Sequence, residues 1–156
     1  MAAQFVKPFR KSGAVKNDRN DAEAIATAAR QGNMRFVSMK TVDQQARLSW
    51  HRAREGYKKD ALAAMNRIRG LLAEFGIAIN KSGVALRRAL AQLDAYTLPA
   101  TLVELIRLQQ RHWEAIEDGL AACDAHIKVQ VDQDERCIRI RALTGVGPIT
   151  ADAVVA

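Results

Sequence analysis

Aromatic side chains fill only 5% of this 156-residue chain, and there are two cysteines and three prolines. Few rings and abundant alanine exclude a fold dominated by sheet and favour helices. Cys123 and Cys137 lack C-x-x-C spacing and a nearby histidine pair. That excludes a disulfide framework or zinc site and makes a reducing cytoplasm the expected compartment. Cys123 reads as a core hydrophobe. No apolar run approaches the ~18 residues of a membrane span, and no signal-peptide pattern follows Met1.

What is present is a helical core composition, with 49% hydrophobic residues, and an uneven charge. The net charge is +7; residues 1–78 hold 15 Lys/Arg against 7 Asp/Glu, and residues 79–156 hold 9 against 10. A basic half of that size is an electrostatic footprint for a polyanion, of which nucleic acid is the commonest in a cytoplasmic protein. The plainer reading is a solvated basic surface that aids solubility.

Along the chain, Gln4–Phe9 reads as a short extended segment closed by Pro8 and the Lys-Ser-Gly turn at 11–13. A helix is expected from about Asp18 to Gln31, with Ala22, Ile25, Ala26 and Ala29 as its apolar stripe and Gly32 as its stop. Residues 35–39 read as a short strand or an extended connector. Thr41 to Gln44 matches a capping box, and the pattern beyond it is helical to about Ile77.

In that helix Trp50, Arg54, Tyr57, Ala61, Ala64, Ile68, Leu71 and Phe75 form a heptad seam, with Leu48, Leu62, Met65 and Leu72 as a competing stripe. Gly76 and 80–83 mark a turn, and Val84 to Ala95 fits a short amphipathic helix. After Pro99 the seam is cleaner: Leu102, Ile106, Gln109, Trp113, Ile116, Leu120, Cys123 and Ile127. Sustained heptads argue for a coiled-coil helix, paired with its neighbour, with a second copy, or with both. The expected arrangement is a helical hairpin that dimerises.

A short helix, Asp134 to Ala142, is followed by Gly145-Val-Gly147-Pro148 and a new helix start. This is the pattern of a helix-hairpin-helix, whose glycines let the backbone approach a phosphate while free amides face the anion. Thr144 and Thr150 flank it, and Arg136, Arg139 and Arg141 form a basic approach. A plain helix–turn–helix corner without ligand has the same pattern.

Asp18 and Asp21 stand three apart, which on a helix places them on one face. Read from spacing, they are first an N-cap (Asp18) and a first-turn acid, both favoured by the helix dipole. Read as ligands, they offer two hard oxygen donors to Mg²⁺ but not a complete site. His51, His112 and His126 lack metal-motif spacing and are expected on solvated faces.

Lys16-Asn-Asp-Arg-Asn-Asp-Ala-Glu-Ala-Ile, then Asn33-Met-Arg-Phe-Val, then Arg67-Ile-Arg-Gly-Leu-Leu-Ala-Glu-Phe-Gly-Ile, then Ala142-Leu-Thr-Gly-Val-Gly-Pro-Ile-Thr-Ala-Asp-Ala occur in that order. Together they resemble the DEDD transposases of bacterial insertion-sequence family one-hundred-and-ten, also called bridge recombinases. The resemblance covers nearly the whole chain. It implies a RuvC-like domain whose four acidic residues bind Mg²⁺, a coiled-coil segment that dimerises, and a C-terminal transposase domain with the hairpin motif and a nucleophilic serine beyond it.

By that resemblance Asp18 and Asp21 match the third and fourth acidic positions and become catalytic metal ligands. Lys16 and Arg19 resemble the basic surround that meets phosphates. Gly145 and Gly147 match the hairpin glycines, with Thr150 beside them.

The expected fold is therefore mainly α. Residues 1–40 would be the end of an α/β RuvC-like domain, a short strand plus the acidic helix. Residues 41–131 would form the coiled-coil hairpin, and 132–156 the start of a transposase domain with a shortened helix-hairpin-helix. The first Asp and the Glu are expected before residue 1 and the serine segment after Ala156, so the chain reads as an internal fragment, inactive alone. Its expected partners are DNA, a structured guide RNA and a second copy. The alternative is a non-enzymatic, dimeric coiled-coil nucleic-acid-binding protein that regulates an intact transposase.

Overall fold

The computed structural model describes residues 1–10 and 17–156. They divide into two units, Met1–Thr41 and Val42–Ala156. Both are helical, and no strand occurs among the described residues.

In the first unit, residues expected to be extended are helical: α1 spans Ala3–Val6 and a 3₁₀ turn spans Lys7–Phe9. The physical reason is local. Without a second strand to pair with, an extended 4–9 would leave its amides unbonded, whereas helical turns satisfy them through Phe5 N–H to Ala2 O and Arg10 N–H to Lys7 O. Pro8 fits the first turn, where no amide is required. The Lys-Ser-Gly turn lies outside the described residues.

Helix α2 (Asp18–Ala29) is capped one residue before the expected position: Asn17 is the N-cap, accepting from the Asn20 amide at 2.8 Å. It ends at Ala29, and Gly32 does not take the left-handed conformation of a helix stop. Its buried residues are Ala24 and Ala28, not the expected stripe, and Ile25 is half exposed. Alanine is spread around most of this helix and carries little burial free energy, so the apolar pattern does not single out a face. Residues 35–39 form a connector.

The second unit is built on two long helices, α3 (Val42–Glu74) and α5 (Ala100–Gln133), joined through α4 (Gly83–Ala91) and a 3₁₀ turn Leu93–Ala95. They run antiparallel: Trp50 meets His126, Arg54 meets Asp124, and Arg67 meets Gln109, so one number rises as the other falls. This intrachain hairpin takes in most of the α5 seam and the second half of the α3 seam. On α5, Leu102, Ile106, Trp113, Ile116, Cys123 and Ile127 are buried, as the heptads require, and Val131 extends the row.

On α3 the buried positions are Ala61, Ala64, Ile68 and Leu72. The end of the seam shifts by one residue, since Phe75 is 47% exposed and Leu72 is fully buried. Gly76 ends α3 with φ +77, and Ile77 N–H bonds Leu72 O while Gly76 N–H bonds Ala73 O. That is a Schellman stop, which needs a left-handed residue at the glycine.

Helix α4 is capped by Ser82, whose hydroxyl accepts from the Ala85 amide at 3.1 Å. With Leu86 and Leu90, and with Leu93 from the 3₁₀ turn that follows, it closes the first core against Ile68, Leu72 and Ile106. Helices α6 (Glu135–Arg141) and α7 (Pro148–Val155) fold back on the far end of α5. They form a second core of Ile127, Val131, Cys137 and Ala151, edged by Ile140, Val146, Ile149 and Val155.

One contact in the hairpin fixes a substitution test. Gly119 lies under the Tyr57 ring, and a Cβ built on it would stand 2.7 Å from the ring. Gly119→Ala should therefore destabilise by ~1–2 kcal/mol as the ring is displaced, although alanine alone favours a helix by ~1 kcal/mol. In a Tyr57→Ala background the sign should reverse and Gly119→Ala should stabilise. Urea unfolding of the four proteins checks this; destabilisation of similar size in both backgrounds would rule out the ring contact.

Candidate catalytic helix and nucleic-acid interface

The acidic pair occupies the first turn of α2. The extended backbone of Asn17 turns the chain into the helix, Asp18 is the first helical residue, and Asp21 follows one turn later with its amide bonded to Asn17 O at 3.1 Å. Both carboxylates sit where the helix dipole favours negative charge. Asp18 and Arg19 are exposed. Lys16 lies outside the described residues.

Asp21 is already engaged. Its Oδ1 lies 2.9 Å from Arg10 Nη2, an ion pair that lacks hydrogen-bond alignment, so this shielded oxygen is left without a directed donor. Beside it a largely apolar groove of about 660 Å³ is bordered by Val6, Lys7, Arg10 and Ile25. The donor set fits Mg²⁺ as part of a shell: two hard carboxylates on one helical turn. No group of three or more Asp, Glu, His or Cys among the described residues is arranged to hold a metal.

In the second unit the turn 142–147 joins α6 to α7. Gly145 adopts φ +86, a conformation that side-chain-bearing residues rarely take, and Gly147 is the N-cap of α7 with extended backbone. No side chain caps α7, and Pro148 opens it. The space where either glycine would carry a Cβ is open. Thr144 and Thr150 are exposed on either side.

The basic approach is partly spent within the chain. Arg141 pairs with Asp132 at 2.7 Å, Arg136 pairs with Asp134 at 2.9 Å, and Arg139 reaches the Glu135 carbonyl at 3.4 Å. Thus Gly145, Gly147 and Thr150 come together in one turn, and Asp18 and Asp21 in another.

A buried polar cluster, built from residues far apart in the sequence, lies where α3, α6 and α7 meet. Asp152 of α7 is 0% exposed. Its Oδ1 accepts from Arg47, through Nε at 3.1 Å and through Nη2, and its Oδ2 lies 2.8 Å from His51 Nε2. Arg47 also donates to Asp134 Oδ2 at 2.6 Å and to Cys137 Sγ at 3.4 Å.

Burial opposes the charge on Arg47, but hydrogen bonds to Asp134 and Asp152 outweigh it and raise its pKa above the ordinary arginine value. Hydrogen bonds from Arg136 and then Arg47 hold the Asp134 carboxyl well below the usual carboxylate range. Burial, then the Asp134 charge, pushes the Cys137 thiol up.

His51 is therefore not on a solvated face, and neither is His126, which stacks on Trp50 with ring centroids 3.8 Å apart. One sequence signal was available: Asp152 is the lone charged residue in Pro148–Val155, which is apolar apart from it and Thr150, and a carboxylate on such a helix needs a cationic partner.

A family model described as a transposase, of the DEDD group associated with insertion sequence IS110, matches residues 2–77. A probable family 20 transposase of Pseudomonas aeruginosa is 39% identical across the whole chain. The chain belongs to the DEDD transposase family. The transposase for insertion sequence element IS1328 of Yersinia enterocolitica is 33% identical over 97% of the chain, and that for IS1111A of Coxiella burnetii is 33% identical over all of it.

The chain spans under half the length of these transposases: 47%, 45% and 43% respectively. No solved structure matches it. The region matched by the transposase family model contains the acidic helix α2 and the whole of α3. Among the described residues of this transposase-family chain, no helix is long and apolar enough to cross a membrane.

Proposed function

We propose that this chain acts in DNA transposition, carrying two of the acidic ligands of a Mg²⁺-dependent site and a backbone turn that meets DNA phosphates. The observation that carries the reading is the acidic turn of α2. Asp18 is exposed at its start and Asp21 stands three residues on, in a chain of the DEDD transposase family. In the complete protein these carboxylates would belong to a RuvC-like domain and would share the metal with acids from other elements. Mg²⁺ bound there supplies charge neutralisation at a phosphodiester.

This chain's own residues do the rest of the proposed work. Asp18 orients an open carboxylate toward the ion. Arg10 holds Asp21 and must yield part of it when the ion binds. Gly145 and Gly147 keep the α6–α7 turn clear for a phosphate, in the manner of a helix-hairpin-helix, and Thr150 offers a hydroxyl beside it. Arg19 adds positive charge next to the acidic helix.

A second reading has an observation of its own. Arg10 already neutralises Asp21, which suits a helical binding module that regulates an intact transposase.

Magnesium titration followed by amide NMR separates the two. The transposase reading expects saturable shifts confined to residues 17–22, in the millimolar range typical of weak carboxylate sites, abolished by Asp18→Ala and weakened by Asp21→Asn. Absence of any saturable shift in the unaltered chain would leave the binding module standing.

A further inference from the structure

We infer that Asp152 is a positioning residue for the glycine turn: through Arg47 and His51 it fixes α7, and with it Gly145–Thr150, on the first half of α3. The inference rests on the reading of that turn as a phosphate-binding element.

The second apolar core draws on α5, α6, α7 and the turn between the last two, and contains no residue of α3. Conversely, α3 buries no residue before Ala61. The first half of the longest basic helix is therefore joined to α7 by polar contacts: Arg47 and His51 to Asp152, and the Gln44 side-chain amide to Val155 O at 3.4 Å.

These contacts have direction where apolar packing has little. Arg47 presents a planar fork, with Nε and Nη2 on one Asp152 oxygen and Nη1 on Asp134, so it ties α7 and the start of α6 to the same guanidinium. His51 takes the other Asp152 oxygen, one helical turn along α3. A carboxylate held from two sides by residues four apart fixes both the rotation of α7 about its axis and its distance from α3. Buried ion pairs contribute little net stability compared with apolar packing, and orientation is their best-attested use. Pro148 begins α7 only four residues before Asp152, so the angle set at Asp152 is the angle of the glycine turn.

The test joins two measurements on the full chain. Hydrogen exchange should show amides of 45–57 and 151–155 exchanging on the order of a hundredfold faster in Asp152→Asn, while those of 106–113 in the first core stay as they were. Binding of a fluorescein-labelled DNA duplex at low salt, read by anisotropy, should weaken about tenfold, as it should in Gly145→Ala, whose turn cannot hold φ +86. Arg47→Lys keeps the charge and loses the fork; it should give the same pattern at smaller amplitude, and it decides the matter should Asp152→Asn not fold.

Unchanged exchange in both variants overturns the inference. So does faster exchange with undiminished DNA affinity when Gly145→Ala does weaken binding, because the contact is then structural alone. If Gly145→Ala leaves DNA binding intact, the phosphate reading of the turn fails and the positioning role falls with it.

Discussion

Trp113→Ala should destabilise the hairpin unit by ~3–5 kcal/mol, the range for truncating a fully buried aromatic side chain. Trp113 is 1% exposed and is the largest fully buried side chain in the chain. It lies at the centre of the α5 seam and reaches the start of α4: its Cζ2 would be 3.9 Å from a Cβ placed on Gly83. The Arg87 guanidinium covers the ring at 4.7 Å from its centroid and is itself held by Glu117.

Alanine at 113 therefore opens a cavity between three elements and removes the platform beneath Arg87. The stem around it is helix packed on helix, so the void can collapse only partly. Thermal unfolding by circular dichroism should show the midpoint falling by on the order of 10 °C or more. Trp50, the other tryptophan, is 37% exposed and stacks on His126. Trp50→Ala should cost far less, and equal losses at the two sites would contradict a core centred on Trp113.

That contrast between the tryptophans shows what the heptads disclosed and what they hid. The 4, 3 spacing from Leu102 to Ile127 located the buried row of α5 because every member but Gln109 is apolar and the pattern has one solution. On α3 the same spacing named the correct face as far as Ile68, since Trp50, Arg54 and Tyr57 all meet α5, and lost it at the end, where Leu72 of the competing stripe is buried and Phe75 is not. It did not disclose that burial starts only at Ala61, since a seam position records direction and not depth.

Where alanine fills the pattern, as in α2, direction itself was lost, and the buried pair Ala24 and Ala28 went unseen. The segment 4–9 has β-forming composition, but a strand is defined by its neighbour, and its sequence alone carries no information about one. The cap of α2 moved by one residue because Asn17 and Asp18 are equally good cap types. Of the candidate sites, the acidic turn and the glycine turn were visible as contiguous motifs. The Arg47–Asp152 cluster joins residues 105 apart in sequence, and no local pattern encodes such a pairing.

Arg47→Met, the second large effect, should destabilise by ~3–5 kcal/mol, because it strips a buried carboxylate of its main cation. Asp152, fully buried, would keep His51 and a long contact from the Cys137 thiol at 4.0 Å, while Asp134 at the cluster's edge would keep Arg136. The loss is thus the cost of an unpaired charge at Asp152 and not the worth of the pair.

A double variant separates these quantities. In Arg47→Met/Asp152→Leu both charges are gone, apolar groups of similar volume adjoin the second core, and His51, 14% exposed, can turn to solvent. Most of the lost stability should return, leaving the double variant within ~1 kcal/mol of the original. Chemical unfolding of the four proteins gives the coupling directly, and it should exceed ~2 kcal/mol. A double variant as unstable as Arg47→Met alone would mean that the network of Arg47, His51, Asp134 and Asp152 stabilises as a cooperative whole, and the balance between stability and orientation drawn for Asp152 would have to be reversed. Recovery of stability without recovery of DNA affinity would show directionality that apolar packing cannot replace.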